Sequence, residues 1–252
     1  MADDKKLFLL DAFALIYRAY YSFISNPRVS SKGLNTSAMF GFTNTLWDLI
    51  NKEKPTHIAV VFDPPSGDQE NFRVEQYAEY KANREAMPED IRKSLPYIKA
   101  IVQGFKIPTL EVEGFEADDV IGTLAKKAAR KGYTVYMMTP DKDYGQLVED
   151  TIFMYKPGRQ GSDVQIMGPK EICERYGIER PDQIIDILGM MGDAVDNIPG
   201  IPGVGEKTAI KFVQQFGSME GLYENVEALK GKMKEKVAEN KDQAFMSKQL
   251  AT

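Results

Sequence analysis

The chain has 252 residues, 43% of them hydrophobic, with 32 basic and 37 acidic side chains and a formal net charge of −5. That suits one large domain, or one domain with an appended lobe, and it supplies a real core. One cysteine and one histidine exclude a disulfide framework and point away from zinc, no apolar stretch approaches the ~20 residues of a membrane span, and a cytoplasmic protein is the expectation.

The N-terminal MADDKKLFLLDAF places acids before its lysines and reads as a first strand, Leu7 to Leu10, rather than a signal peptide. Ala38 to Ile50 sets Met39, Phe42, Leu46 and Leu49 at helical spacing, with Trp47 and the methionines expected in the core. Ile58 to Phe62 is a second buried strand, opened by His57, which reads as structural. From about Pro64 to Pro96 the pattern turns polar, with Arg73, Lys81, Arg84, Arg92 and Lys93 among Phe72, Tyr77 and Tyr80. It is too long for a plain connection and reads as an exposed, partly helical insertion over the edge of a site. Ala117 to Ala129 is an amphipathic helix that Gly132 can cap, and Val135 to Met138 is a third buried strand. From Asp182 onward the chain reads as all-helical, with Glu206 to Phe216 capped by Gly217 and a solvated helix over Lys230 to Asn240. Alternating strands and helices predict an α/β fold with a mostly parallel central sheet.

The acids carry the chemistry. Asp11 and Asp63 close apolar runs; Glu116, Asp118 and Asp119 lie in GFEADDVIG; Asp141 and Asp143 follow VYMMTP; Asp193 and Asp196 lie in MGDAVDNIPG. Ligand sites in parallel sheets lie beyond the carboxyl ends of the strands, so acids far apart in sequence are expected to converge there. Acids at helix starts also act as caps, and that accounts for any one cluster more readily than for four. Carboxylates without histidine or cysteine suit magnesium or manganese, and nine of them suit two ions better than one. Setting the nine aside leaves 28 acids against 32 bases, a balance of +4 that is compatible with nucleic acid as partner.

GIPGVGEKTA, Gly200 to Ala209, has a P-loop gap between Gly200 and Gly205. Glu206 stands where the lysine belongs, and no strand is expected before it. It reads instead as a glycine turn between helices, offering backbone N–H groups to a phosphate, with Lys207 and Thr208 adding charge and a hydroxyl. Aromatic residues among the cations of the 64–96 insertion suit stacked, single-stranded nucleic acid.

The stretches LLDAFALIYRAYY, THIAVVFD, FRVEQYAEYKANR, EADDVIGTLA, TPDKDYGQLV and MGDAVDNIPGIPGVGEKTA, in this order from Leu9 to Ala209, resemble the 5′-nuclease domains of bacterial DNA polymerase I, in the flap-endonuclease superfamily. The resemblance implies a PIN-like nuclease core with a helical arch, residues 1–180 with the arch at about 64–96. It also implies an all-helical DNA-binding lobe, 181–252, with a helical hairpin at 198–209. The implied activity is metal-dependent 5′-3′ exonuclease and flap endonuclease action in DNA replication and repair, in a bacterial cytoplasm and away from membranes. The implied partners are branched, flapped or nicked duplex DNA and RNA-primed DNA. By motif position Asp11, Asp63, Glu116 and Asp118 would hold one Mg2+ or Mn2+. Asp119, Asp141, Asp143, Asp193 and Asp196 would serve a second ion or its waters.

Tyr80, Lys81 and Arg84 fall where the family steers the flap and the scissile phosphate. Arg18, Arg73 and Tyr77 are expected to contact DNA. Gly203, Gly205, Lys207 and Thr208 are expected to grip the duplex, with K+ at the same hairpin. Two departures are local: Pro140 stands where the family has glycine before DKD, so that loop is expected to differ, and Asn71 precedes the FR of the arch where threonine is common. A non-catalytic branch-binding module and a PIN-type ribonuclease are the rival readings. The finish at QLAT favours a piece of a longer polymerase over a stand-alone nuclease.

Overall fold

The computed structural model of the protein describes residues 5–64, 71–158 and 163–252. Its elements are, in chain order, β1 (Lys6–Asp11), α1 (Ala12–Ser22), α2 (Ser37–Glu53), β2 (His57–Val61), α3 (Phe72–Gln76), α4 (Glu89–Gly104), β3 (Thr109–Leu110), α5 (Ala117–Ala129), β4 (Thr134–Met138), β5 (Ile152–Lys156) and β6 (Gln165–Met167). They continue as α6 (Pro169–Tyr176), α7 (Ile184–Met191), α8 (Glu206–Phe216), α9 (Met219–Glu224), α10 (Gly231–Glu239) and α11 (Lys241–Leu250). Two compact units result: Met1–Asn71, Glu85–Tyr144 and Asp150–Met167 form one, and Phe72–Arg84, Gly145–Glu149 and Gly168–Thr252 form the other.

In the first unit the strands make one sheet of order β3-β2-β1-β4-β5-β6, parallel except for β6, which runs antiparallel to β5. The chain moves outward from β1 through β2 to β3 and then returns to β4 on the other side of β1. The β1–β4 seam is therefore the topological switch point, where the loops after neighbouring strands diverge and leave a crevice. Register fixes what lies there: Asp11 pairs with Val61 on one side, and Leu10 pairs with Met138 on the other. Asp11, Asp63 and Thr139 consequently leave the sheet at the same edge.

The expected strands and the expected α2 and α5 are present. Phe8, Leu10, Val60, Phe62 and Met138 are fully or almost fully buried with Ile16, Phe42, Leu46 and Ile98 from the covering helices. Runs this apolar are what a parallel sheet covered on both faces requires. Trp47 is a correction: it is 58% exposed, its ring 6.4 Å from that of Phe105. The buried stripe of α2 runs through Phe42, Leu46 and Leu49. Trp47 lies one residue after Leu46, about 100° round the helix and off that stripe.

The second unit packs α7 against α8 and α11. Asp186 of α7 is buried, and its carboxylate accepts the ammonium of Lys248 at 2.6 Å and the amide of Met219 at 3.1 Å. Gly192 and Gly200 allow two backbone strands to touch. A Cβ on Gly200 would lie 2.4 Å from the Gly192 nitrogen, and both glycines have positive φ, +71° and +61°.

The polar 64–96 stretch is not a uniformly exposed insertion. Residues 65–70 of it lie outside the described residues. Arg73, Tyr80 and Lys81 are 3%, 5% and 8% exposed, and Pro96 lies inside α4. Tyr80 is buried because its ring packs with Ile198 and Leu250. Arg73 is buried because backbone carbonyls satisfy its guanidinium, as described below.

Candidate metal centre and phosphate contacts

Asp11, the last residue of β1, is the N-cap of α1 and accepts the Ala14 N–H at 3.1 Å. Its other oxygen accepts the hydroxyls of Thr139 and Tyr144, each at 3.1 Å. Burial pushes its pKa up to about 6, and the charge of Asp63 pushes the same way against those three donors. Burial and a neighbouring carboxylate thus both disfavour the ionised form of Asp11.

Asp63 joins this centre to the next cluster, accepting the N–H of Ala117, the first residue of α5, at 2.6 Å. Asp119 accepts the N–H of Glu116 at 3.0 Å, a capping contact that fits the structural role weighed for acids at helix starts. Glu116 is buried and its carboxylate accepts the side-chain amide of buried Asn71. Beyond β4, Thr139 donates to Asp11 while its oxygen accepts the Asp141 N–H at 3.2 Å, bridging over Pro140. Asp141 in turn accepts the Asp143 N–H at 3.0 Å. Tyr144 lies wholly inside; burial raises its pKa well above normal, and the charges of Asp11, Asp118 and Asp141 raise it further. That phenol therefore senses acids from three separate segments.

Seven of the nine acids singled out in the sequence accordingly lie in the first unit, linked by these bonds and fields. Their chemistry is carboxylate oxygen with no thiolate or imidazole, which fits a hard divalent cation. Among the described residues no group of three such side chains is already drawn into a coordination shell. Six of the seven accept a hydrogen bond on a side-chain oxygen, Asp118 from the Asp119 N–H, and a carboxylate can accept several bonds at once.

The other two acids are in the second unit. Asp193 accepts the Val195 N–H at 2.7 Å within its own loop. Asp196 accepts Arg84 Nε at 3.0 Å and a second contact from the same guanidinium, and Lys81 Nζ lies 4.0 Å from its other oxygen. Tyr77 donates to Glu79 at 3.1 Å. Arg73 is turned inward, donating to the carbonyls of Leu250 and Thr252 at 2.9 Å each. In the first unit Arg18 donates to the carbonyl of Pro157 at 3.0 Å and to that of Gly158. Gly203, Gly205 and Lys207 are exposed at the start of α8, with Thr208 half-buried. Lys236 of α10 reaches over this turn, its ammonium 2.7 Å from where a Gly203 Cβ would stand.

The sequence reading missed Asn71, Thr139 and Tyr144 as site residues, although Thr139 and Tyr144 lie within a stretch it had singled out and Asn71 directly precedes one. Lys236 carries no such signal, lying in a helix rich in lysine and glutamate.

Two family models match, one after the other: 5′-3′ exonuclease, N-terminal resolvase-like domain, over residues 6–177, and 5′-3′ exonuclease, C-terminal SAM fold, over 179–252. DNA polymerase I of Bacillus subtilis is 43% identical over 254 residues, covering 100% of this chain and 28% of its own length. The Mycobacterium tuberculosis enzyme of the same name is 38% identical over 97% of this chain and 26% of its own. The chain thus spans a little over a quarter of the length of the curated relatives it matches. Among solved structures, T5 5′-exonuclease with bound divalent zinc ions aligns with a TM-score of 0.76 at 20% identity, covering 98% of this chain and 89% of that one. Flap endonuclease-1 from Methanococcus jannaschii aligns at 0.61 and 17%, covering 97% and 79%. At such identities these two show a shared fold. The carboxylate edge of a parallel sheet, the helical unit after it and two family models that together span residues 6–252 with one residue between them agree: the chain belongs to the 5′-3′ exonuclease family, as the 5′-nuclease part of bacterial DNA polymerase I does.

Proposed function

We propose that the protein is a structure-specific 5′-nuclease that hydrolyses phosphodiester bonds at 5′ flaps, nicks and RNA primers by two-metal-ion catalysis. The observation that carries this is the buried Asp11 beside Asp63 at the switch point, pushed to about 6 by its surroundings. Bound there, two Mg2+ or Mn2+ ions would lower the pKa of water and neutralise charge on the phosphate. Asp11, Asp63, Glu116 and Asp118 would hold one ion, and Asp119, Asp141 and Asp143 would serve the second or its waters. Asp193 and Asp196, carried by the helical unit, keep the metal role that the motif gives them. No histidine base is required, because the carboxylates position the ions and hydrogen-bond their water.

Tyr80, Lys81 and Arg84 bind the flap and its scissile phosphate. Gly203, Gly205, Lys207 and Thr208, with Lys236, grip the duplex backbone through N–H groups and charge without reading base sequence. A potassium ion would sit at the same hairpin. Arg18, Arg73 and Tyr77 have protein partners and are better explained as supports than as direct DNA contacts.

The test is a labelled 5′-flap DNA with and without magnesium, product length read on a gel. Cleavage near the branch only with magnesium, lost in Asp141→Ala while flap binding survives, is expected. Binding with no product would favour a branch-binding module, and preference for single-stranded RNA a PIN-type ribonuclease.

A further inference from the structure

In the second unit the segment from Glu79 to Arg84 is fastened to the loop from Asp193 to Asn197. Lys81 N–H donates to the Asp196 carbonyl at 2.9 Å, Asn83 donates to Ala194 at 2.9 Å, and Asn197 donates to Glu79 at 2.6 Å. Lys81 and Asn197 both hold a left-handed backbone, φ +57°, which asparagine adopts readily but lysine only where its surroundings enforce it. Inside this clasp two cations converge on one carboxylate. Arg84 presents its Nε and terminal nitrogen to one oxygen of Asp196, and the Lys81 ammonium, whose side chain is 5% exposed, faces the other.

We propose that Asp196 is a placeholder for a phosphodiester: its carboxylate occupies the anion seat formed by Lys81 and Arg84, and a backbone phosphate displaces it. This rests on the assignment of Lys81 and Arg84 to the scissile phosphate. Carboxylate and phosphodiester each bring one negative charge and oxygens that match the guanidinium fork. Exchange therefore leaves the charge of the seat unchanged. The three hydrogen bonds of the clasp do not involve the carboxylate, so Lys81 and Arg84 stay in place while the anion changes. The device also selects, because a weakly bound anion must first compete with a tethered one. Asp196 acts here as a positioning residue.

The experiment measures flap-DNA affinity for the full chain in EDTA, where no cleavage occurs. Asp196→Asn, which keeps the side chain's shape, should tighten binding about tenfold, whereas Asp193→Asn, which removes an equal charge three residues earlier in the same loop, should change it less than twofold. In an Arg84→Ala background the Asp196→Asn gain should fall below twofold. Equal gains from the two asparagine variants, or a full gain without Arg84, would reduce the effect to general electrostatics and overturn the proposal. Wild-type protein gives a second reading: inorganic phosphate titrated in EDTA should shift the Arg84 Nε–H resonance saturably, and no shift rejects the exchange. Cleavage by the wild type in magnesium is scored separately, so failure of the nuclease assignment and failure of the placeholder are distinct results.

Discussion

Asp63 accepts the backbone N–H of Ala117 at 2.6 Å, so the acid two residues beyond β2 also caps the helix that presents Asp118 and Asp119. One carboxylate here has two separable duties. Asp63→Asn keeps an acceptor and should fold with stability within about 0.5 kcal/mol of wild type, while Asp63→Ala leaves an orphan helix donor and should cost about 1 kcal/mol. Both variants should lose cleavage. Urea unfolding beside a flap-cleavage assay separates the two duties.

Asp11 makes stability depend on pH in the direction opposite to most carboxylates. Its folded pKa, about 6, exceeds the ordinary 3.8, so its contribution is fully present below pH 4 and is lost as pH rises through 6. The displacement corresponds to on the order of 3 kcal/mol. In EDTA, the difference in unfolding free energy between wild type and Asp11→Asn should move by that order between pH 4 and pH 7.5, in favour of the variant at high pH. A flat difference would show that the buried carboxylate is not held as described.

Arg73 should behave as a structural latch. It engages the carbonyls of Leu250 and Thr252, and Gln146 engages that of Ala251 between them. Removing a buried guanidinium that satisfies helix-end carbonyls should cost about 2–4 kcal/mol. Arg73→Ala should also speed amide exchange in α11 while leaving the salt dependence of DNA affinity unchanged. A reduced salt slope would mark Arg73 as a phosphate contact.

Lys248→Met should destabilise the helical unit by about 3 kcal/mol, because it strands the buried carboxylate of Asp186. Despite burial, hydrogen bonds from Lys248 hold Glu220 below its ordinary pKa, and bonds to Asp186 and Glu220 hold Lys248 above its own. The depressed Glu220 loses its contribution as pH falls below about 4.5, and the raised Lys248 loses its own as pH climbs beyond about 10.5. The difference should therefore be level between those limits and shrink outside them, as denaturant titrations across pH would reveal.

Two glycines of one loop should respond differently. Gly200→Ala forces a Cβ to 2.4 Å from the Gly192 nitrogen at positive φ, and should cost more than about 3 kcal/mol. Gly205→Ala meets nothing within 4 Å, and its φ of −98° suits any residue. It should fold normally and weaken duplex binding by crowding the exposed N–H groups, read by unfolding and binding curves on the same samples.

The sheet and its carboxyl edge were legible because fully buried parallel strands have continuous apolar runs, and because acids ending such runs share an edge whatever their spacing in sequence. Trp47 was misplaced since composition alone assigns tryptophan inward, whereas helical phase places it one step past Leu46. Arg73 and Lys81 looked solvated because charge predicts exposure; the carbonyls that satisfy Arg73 come from about 180 residues away, which no local pattern encodes. Tyr144 and Thr139 were hidden for the same reason. Their role depends on Asp11, a partner that only the β1–β4 pairing supplies.

That pairing also sets a clock. Asp11 and Thr139 are 128 positions apart, so the wall of the centre cannot close until β4 has been made and has found β1. At about 5–20 residues per second of synthesis, the emerging chain spends on the order of 6–25 s with Asp11 made but without its neighbour across the seam. A nascent chain short of β4 therefore holds Asp11 without the Thr139 and Tyr144 hydroxyls that position it, and the wall of the centre arrives only with the β1–β4 pairing.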